Sequence, residues 1–457
     1  MAVRLKIEEK HKDFVKEMAK NLTFTEKTYV KRREGPKIVK AYVDDGMWFY
    51  MPMIYASEVY GQKHMNATHP KRNVGSFDTS IVLRDYQEEA VSYARAQLKE
   101  KGSVFLNVFC SYGKTIVASY LSYLMSVKNG IMTMVVYPTV GIGNSWYGAF
   151  KEHTTAKIHV VGTGDIPPDT QVLLCMPGRI LSIPEEVRLN IGHLVIDEAD
   201  CFCTEIRMQA LLHTVPYYIT ALTATYERDD GFHVCLDALV GTEKLTKISK
   251  KEFGVVKIRT DFTAEAKIVG GKMVFGDLVS KLDIIPERNQ LICDIVLKNL
   301  SHKIAILTLH KNHASLLLSL LEPELKKHGK TVAIYMGKAK TYVDATVLIA
   351  TYAKGGRGFD QKDGCIAWDG IRIDMCILAS STKKIEQPAG RCLRADFPIV
   401  YDIVDDHPVS YRHWAIRKSW YYSRNGRVHD SSGAESWEDI TRQAKEQEAK
   451  MLEELYH

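Results

Sequence analysis

Residues 104–115 read VFLNVFCSYGKT, an apolar run of strand length that gives way to a short polar turn and then to Gly113-Lys114-Thr115. A helical pattern starts at Thr115. A strand that ends in such a turn and feeds a helix opens a βαβ unit. Working outward, strand-length apolar runs recur as IMTMVVYP (131–138), QVLLCMP (171–177), HLVID (193–197) and YYITALTAT (217–225), with helical patterns between them. This alternation predicts a parallel sheet flanked by helices.

The pattern weakens from about Glu243 to Arg288, where Lys, Gly and Glu dominate. It resumes with KIAILTL (303–309), TVAIYMG (331–337), TVLIAT (346–351), MCILAS (375–380) and IVYDIVD (399–405). Two α/β domains in tandem are therefore expected, over 79–245 and 289–430, joined by an inter-lobe segment at 246–288. Residues 1–78 read as a small α+β accessory element, in which Asp44-Asp45-Gly46 marks a hairpin turn between two β-rich runs. Residues 431–457 read as a charged helical tail.

Composition excludes several classes. With 457 residues, 46% hydrophobic and 25% charged, the chain is neither a single small module nor a disordered or collagen-like polymer. The N-terminus MAVRLKIEEKHKDF carries no signal-peptide stretch, and runs such as Ala314–Leu321 are too short to span a bilayer. An intracellular, non-secreted protein with no membrane span is expected. Only Cys201 and Cys203 of the nine cysteines lie within four residues of each other, so the cysteines read as reduced core thiols. The excess of 61 Lys plus Arg over 55 Asp plus Glu is too mild to name a partner, so charge has to be argued locally.

Two stretches carry chemistry. A strand followed by Gly113-Lys114-Thr115 at a helix start suits phosphate: backbone N–H groups point at its oxygens, Lys114 reaches them, and the Thr115 hydroxyl suits Mg²⁺. Val108 and Ser111 stand where glycine or alanine, and glycine, often stand in such loops, so GKT alone equally fits a chance strand-to-helix turn. The second stretch is Asp197-Glu198-Ala199-Asp200 at a strand end, where Asp197 suits Mg²⁺ and Glu198 a water to be activated. An acidic helix start is the plain alternative, and the βαβ pattern between the two stretches weighs against it.

With these motifs the chain resembles a superfamily 2 helicase from about Leu83 to Arg424. Leu83-Arg84-Asp85-Tyr86-Gln87 is similar to the adenine-reading motif, Pro138-Thr139 with Trp146 to motif Ia, and Thr223-Ala224-Thr225 to motif III. Thr351 through Gly358-Phe359-Asp360 is similar to motif V, and Gln387-Pro388-Ala389-Gly390-Arg391-Cys392-Leu393-Arg394 to motif VI. The letters DEAD suggest the RNA helicases of that name, but TAT replaces their SAT. LRDYQEEA, LTATYERDDG, PERNQL and IEQPAGRCLR instead resemble a different group. That group includes the poxvirus transcript-release helicase, its counterparts in other large nucleocytoplasmic DNA viruses, the T-even phage repair helicase and the promoter-melting helicase subunit of a general transcription factor.

The resemblance implies two RecA-like domains with ATP and Mg²⁺ between them. It assigns Ser111, Tyr112, Gly113, Lys114 and Thr115 to the phosphates, Arg84 and Gln87 to the base, and Asp197 and Thr115 to the metal. Glu198, Gln387, Arg391 and Arg394 are implied to be catalytic, with Gly358 and Asp360 near the ribose. Thr223 and Thr225 are implied to couple hydrolysis to movement, and Thr139, Arg179 and Thr351 to hold the nucleic-acid backbone. The expected partner is DNA, single-stranded and duplex, without sequence preference, and RNA polymerase or transcription factors are candidate protein partners. A monomer moving 3′ to 5′ is expected; if viral, it belongs to the host-cell replication compartment and the virion.

Two basic sets stay open. Lys27, Lys31, Arg32, Arg33, Lys37 and Lys40, near Tyr29 and Tyr42, read as a duplex-binding face or a solvated hairpin surface. Arg412, Trp414, Arg417, Lys418, Trp420 and Tyr421 read as a packed aromatic helix or a nucleic-acid contact. The rival functions are a branch-migration or repair helicase, an RNA helicase and a non-catalytic nucleic-acid clamp.

Overall fold

The computed structural model describes residues 2–27, 35–61, 70–228, 230–355, 361–383, 385 and 395–456, without the side chains of 362, 363 and 448–456. The chain forms two compact units that divide between Lys247 and Ile248.

The first unit holds a seven-stranded sheet. Its order is Leu245–Lys247, Ser103–Val108, Tyr218–Thr223, Ile191–Ile196, Met132–Val136, Val172–Cys175 and Ile158–Val160. Every pairing is parallel. Side chains alternate across a strand, so neighbouring residues enter different cores. Val104, Leu106, Val135, Val195 and Leu222 share one core with Ala94, Leu98, Leu121, Trp146 and Phe150 of the helices Asp85–Lys101, Lys114–Asn129 and Val140–His153. Phe105, Met134, Leu194 and Ala221 share the other with Met208, Leu211, Leu236 and Leu239.

That second core also contains Met18, Leu22, Phe49, Met51 and Met53. The described part of residues 1–78 is therefore built into the first unit. Their hairpin forms where the turn letters put it: Val43–Asp44 pairs antiparallel with Trp48–Pro52, and the Asp45 carboxylate accepts from the N–H groups of Met47 (2.9 Å) and Trp48 (2.7 Å). Ala2–Lys6 adds a third strand, and the Ala2 N–H donates to the Thr214 carbonyl at 2.9 Å. Phe49, Met51 and Met53 of this element are buried in that shared core.

The second unit holds another seven-stranded parallel sheet, ordered Val332–Tyr335, Val347–Thr351, Ile304–Thr308, Met375–Leu378, Ile399–Val404, Phe253–Arg259 and Gly426–Ser431. The segment 246–288, expected between the lobes, thus supplies an interior strand of the second one. Phe253, Val255, Val256 and Ile258 are fully buried, but charged and Gly-rich flanks dilute this short run in the sequence. The C-terminal helix Trp437–Tyr456 is docked at its start: Ile440 is buried, and the Trp437 N–H donates to Asn299 Oδ1 at 3.0 Å.

The aromatic helix Pro408–Ser423 packs inward. Arg417 and Asp402 are 1% and 0% exposed and pair at 2.7 Å, and Tyr421 donates to Asp402 Oδ2 at 2.7 Å. Arg417 and Tyr421 are thus occupied by packing, whereas Arg412 and Lys418 are exposed. Removing one partner strands a buried charge. Arg417→Ala is expected to destabilise the second unit by about 3–5 kcal/mol, read from urea denaturation. No helix among the described residues is long and apolar enough to cross a membrane.

Candidate active site

In parallel sheets, ligands gather at the carboxyl ends of the strands. In the first unit the candidate residues follow that rule. The loop 109–113 leaves Ser103–Val108, Asp197 follows Ile191–Ile196, Thr223 ends Tyr218–Thr223, and Thr139 lies three residues beyond Met132–Val136.

The phosphate-type loop closes on itself through Tyr112 N–H donating to the Phe109 carbonyl at 3.2 Å. Ser111 has φ +77° and Gly113 φ +87°, both left-handed. A non-glycine residue there costs roughly 1–2 kcal/mol, so Ser111 is held in strain at the position where the sequence departs from glycine. Gly113 is required for a second reason. A Cβ there would sit 2.3 Å from Gln87 Nε2. Lys114 is the first residue of the helix Lys114–Asn129, with its ammonium 3.5 Å from the Val108 carbonyl, and Thr115 follows it.

Gln87 is buried, and both ends of its amide are engaged. Its Nε2 donates to the Tyr112 carbonyl (3.1 Å), and its Oε1 accepts from the Arg84 N–H (3.0 Å). Tyr112 in turn donates its hydroxyl to the Tyr86 carbonyl, and the Arg84 guanidinium donates to the Tyr86 hydroxyl at 2.8 Å. The residues assigned to base reading therefore clamp the start of Asp85–Lys101 to the phosphate loop.

Asp197 is nearly buried, with Oδ1 accepting from the Glu198 N–H (2.9 Å) and Oδ2 from the Trp146 indole N–H (2.8 Å). Burial, then the Glu198 carboxylate beside it, push the Asp197 carboxyl above its ordinary range. The Lys114 ammonium and the Trp146 N–H pull it back. Glu198 is left-handed at φ +50° and 6% exposed, and its Oε2 has no hydrogen-bond partner among the described residues. A strained backbone carrying a buried carboxylate oxygen that no described residue engages suits a site for a bound group. This donor set suits Mg²⁺: a hard cation is bound by one or two carboxylates and keeps several waters.

Asp200 connects the acidic turn to the next strand. Thr223 donates to Asp200 Oδ1 at 3.0 Å and accepts from the Thr225 N–H at 3.0 Å, so Thr223 and Thr225 form one network with the acidic turn. Arg228, which the sequence reading left without a role, donates to the Asp200 carbonyl (2.6 Å) and pairs with Asp230. Thr139 accepts from the Ile142 N–H at 3.5 Å as the cap of Val140–His153. Arg179 is exposed and donates to the Val161 carbonyl at 3.3 Å. Thr351 lies in the second unit, buried at the end of Val347–Thr351. Gly358, Asp360, Gln387, Arg391 and Arg394 lie outside the described residues, as do Tyr29, Lys31, Arg32 and Arg33 of the basic set.

Two parallel sheets with a phosphate-type loop and an acidic strand end define a nucleotide-hydrolysing motor architecture. Residues 84–230 match the DEAD/DEAH box helicase family, so the first unit carries a DEAD/DEAH box helicase domain. Over 398 residues it is 26% identical to the 161L protein of Invertebrate iridescent virus 6, which carries a provisional helicase name; the match covers 80% of this chain and 87% of that one. Over 195 residues it is 29% identical to the DNA 3′-5′ translocase XPB2 of Sulfurisphaera tokodaii, covering 41% of this chain and 42% of that protein. A point variant of S. cerevisiae Dbp5, solved with RNA and ADP BeF3, shares the fold at TM-score 0.51 and 14% identity, over 78% of this chain and 93% of the other.

Proposed function

We propose that the chain is a DNA-dependent ATPase that translocates on DNA in the 3′ to 5′ direction and releases transcripts or dislodges stalled polymerase during viral transcription. The observation that carries the hydrolytic part is Glu198: a buried carboxylate oxygen without a partner among the described residues, one residue from Asp197 and on a strained backbone. In this reading Lys114 and the N–H groups of the loop hold the phosphates of ATP, and Glu198 takes the proton of the attacking water. Asp197 and Thr115 would hold Mg²⁺, which when bound neutralises charge on the β- and γ-phosphates. Thr223 and Asp200 pass the change on to the neighbouring strand end.

DNA as the track and its polarity are supported by the likeness to a protein named as a DNA 3′-5′ translocase. The transcription role is supported by the resemblance to the poxvirus transcript-release group and by a relative from another large DNA virus. Thr139 and Arg179 follow neighbouring parallel strands, which suits a backbone contact made without reading bases. Affinity is accordingly expected to fall steeply with salt, and almost equally for unrelated sequences, because each neutralised phosphate releases counterions. Fluorescence anisotropy across a salt series checks this; a flat response with strong sequence preference would contradict it.

The task is tested with stalled elongation complexes of the cognate polymerase and, separately, a Holliday junction. ATP-dependent release of RNA, lost in Glu198→Gln, is the expected result. Junction processing with stalled complexes untouched would overturn transcript release in favour of repair.

A further inference from the structure

We infer that Trp146 is a positioning residue for magnesium, setting the Asp197 carboxylate through its indole N–H. The inference rests on the reading of Asp197 as the metal ligand. Trp146 is fully buried on the helix Val140–His153, with its ring stacked on Phe150 at 5.9 Å between centroids. An indole N–H only donates, and a buried one needs an acceptor. The acceptor here is a carboxylate 51 residues away, Asp197 Oδ2 at 2.8 Å, when plain packing would have been satisfied by any carbonyl.

The second oxygen is fixed as well, by the Glu198 N–H at 2.9 Å. With one donor on each oxygen, the plane of the carboxylate is set and its remaining lone pairs keep one direction. Removing the Trp146 donor frees Oδ2 to turn within a buried site. Partners of this kind, one shell out from a metal ligand, typically contribute about 10–100-fold in metal affinity. Thr139, the cap of the same helix, lies seven residues before Trp146, or about two helical turns, and so shares a face with it. The metal-orienting donor and a candidate nucleic-acid contact are thus carried by one rigid element.

The test is Trp146→Phe in the full chain, which keeps an aromatic ring on Phe150 and removes the donor together with part of the indole's volume. Mg²⁺ is titrated against a fixed concentration of a fluorescent ATP analogue, and binding is read by anisotropy. The Mg²⁺ midpoint is expected to rise about tenfold, with binding in EDTA changed less than about twofold. A midpoint equal to wild type would overturn the inference, since a purely structural tryptophan lowers stability without moving it. Asp197→Asn, run in parallel, separates the two layers. If it leaves the Mg²⁺ midpoint unchanged, the reading of Asp197 fails; if it moves the midpoint and Trp146→Phe does not, only the role of Trp146 fails. Should Trp146→Phe not fold, the wild-type protein labelled with ¹⁵N at its six tryptophans decides the question. One indole N–H resonance is expected to shift when Mg²⁺ and nucleotide are added and not in Asp197→Asn, and an unshifted spectrum would overturn the inference.

Discussion

Lys114→Ala is expected to lower ATP turnover to below about one-thousandth of wild type, a loss of about 4 kcal/mol in transition-state stabilisation. Lys114 opens a helix directly behind a loop with two left-handed residues, so its ammonium is delivered to one place by backbone that has few alternatives. Alanine keeps the helix, since it is the best helix former, and removes the charge alone. DNA affinity without nucleotide should stay within a few-fold, because the lysine is placed for phosphate of the nucleotide and not for the track. Steady-state phosphate release and anisotropy on the same preparation check both halves. Retained turnover would remove the phosphate-loop assignment.

Glu198→Gln is expected to lower kcat by about 10²–10⁴-fold while nucleotide affinity holds, the range associated with loss of a general base. The substitution is nearly isosteric, so the left-handed turn at φ +50° and the contacts of Asp197 survive. What is lost is an acceptor for the proton of the attacking water. A merely structural Glu198 would behave differently: neutralising a buried carboxylate with one oxygen unpartnered among the described residues would stabilise the protein and leave kcat near wild type. Single-turnover hydrolysis together with thermal denaturation separates the two.

Much of this was legible in the sequence because the chemistry is local. Gly113-Lys114-Thr115 and Asp197-Glu198 are each contiguous, and the period of strand and helix around them announces a parallel sheet. The strand Phe253–Arg259 was not legible, since its seven residues sit between charged flanks and their burial comes from partners at 399–404 and 426–431. The accessory element illustrates the same limit. Its hairpin turn can be read from Asp44-Asp45-Gly46, but its sharing of a core with Met208 and Leu236 follows from tertiary packing. The bond from Trp146 to Asp197 joins residues 51 apart, and no spacing rule links an indole to a carboxylate at that distance. Gln87 is a base-contact candidate by its letter, and its bond to the Tyr112 carbonyl, 25 residues on, adds a tie to the phosphate loop that no spacing announces.

The measurement that bears most directly on the account is steady-state ATP hydrolysis by the full chain with single-stranded DNA, duplex DNA and RNA of equal length. The account predicts slow turnover alone, several-fold stimulation by DNA, little by RNA, and no stimulated turnover in Glu198→Gln. Turnover stimulated by RNA and not by DNA, or turnover indifferent to both, would contradict it.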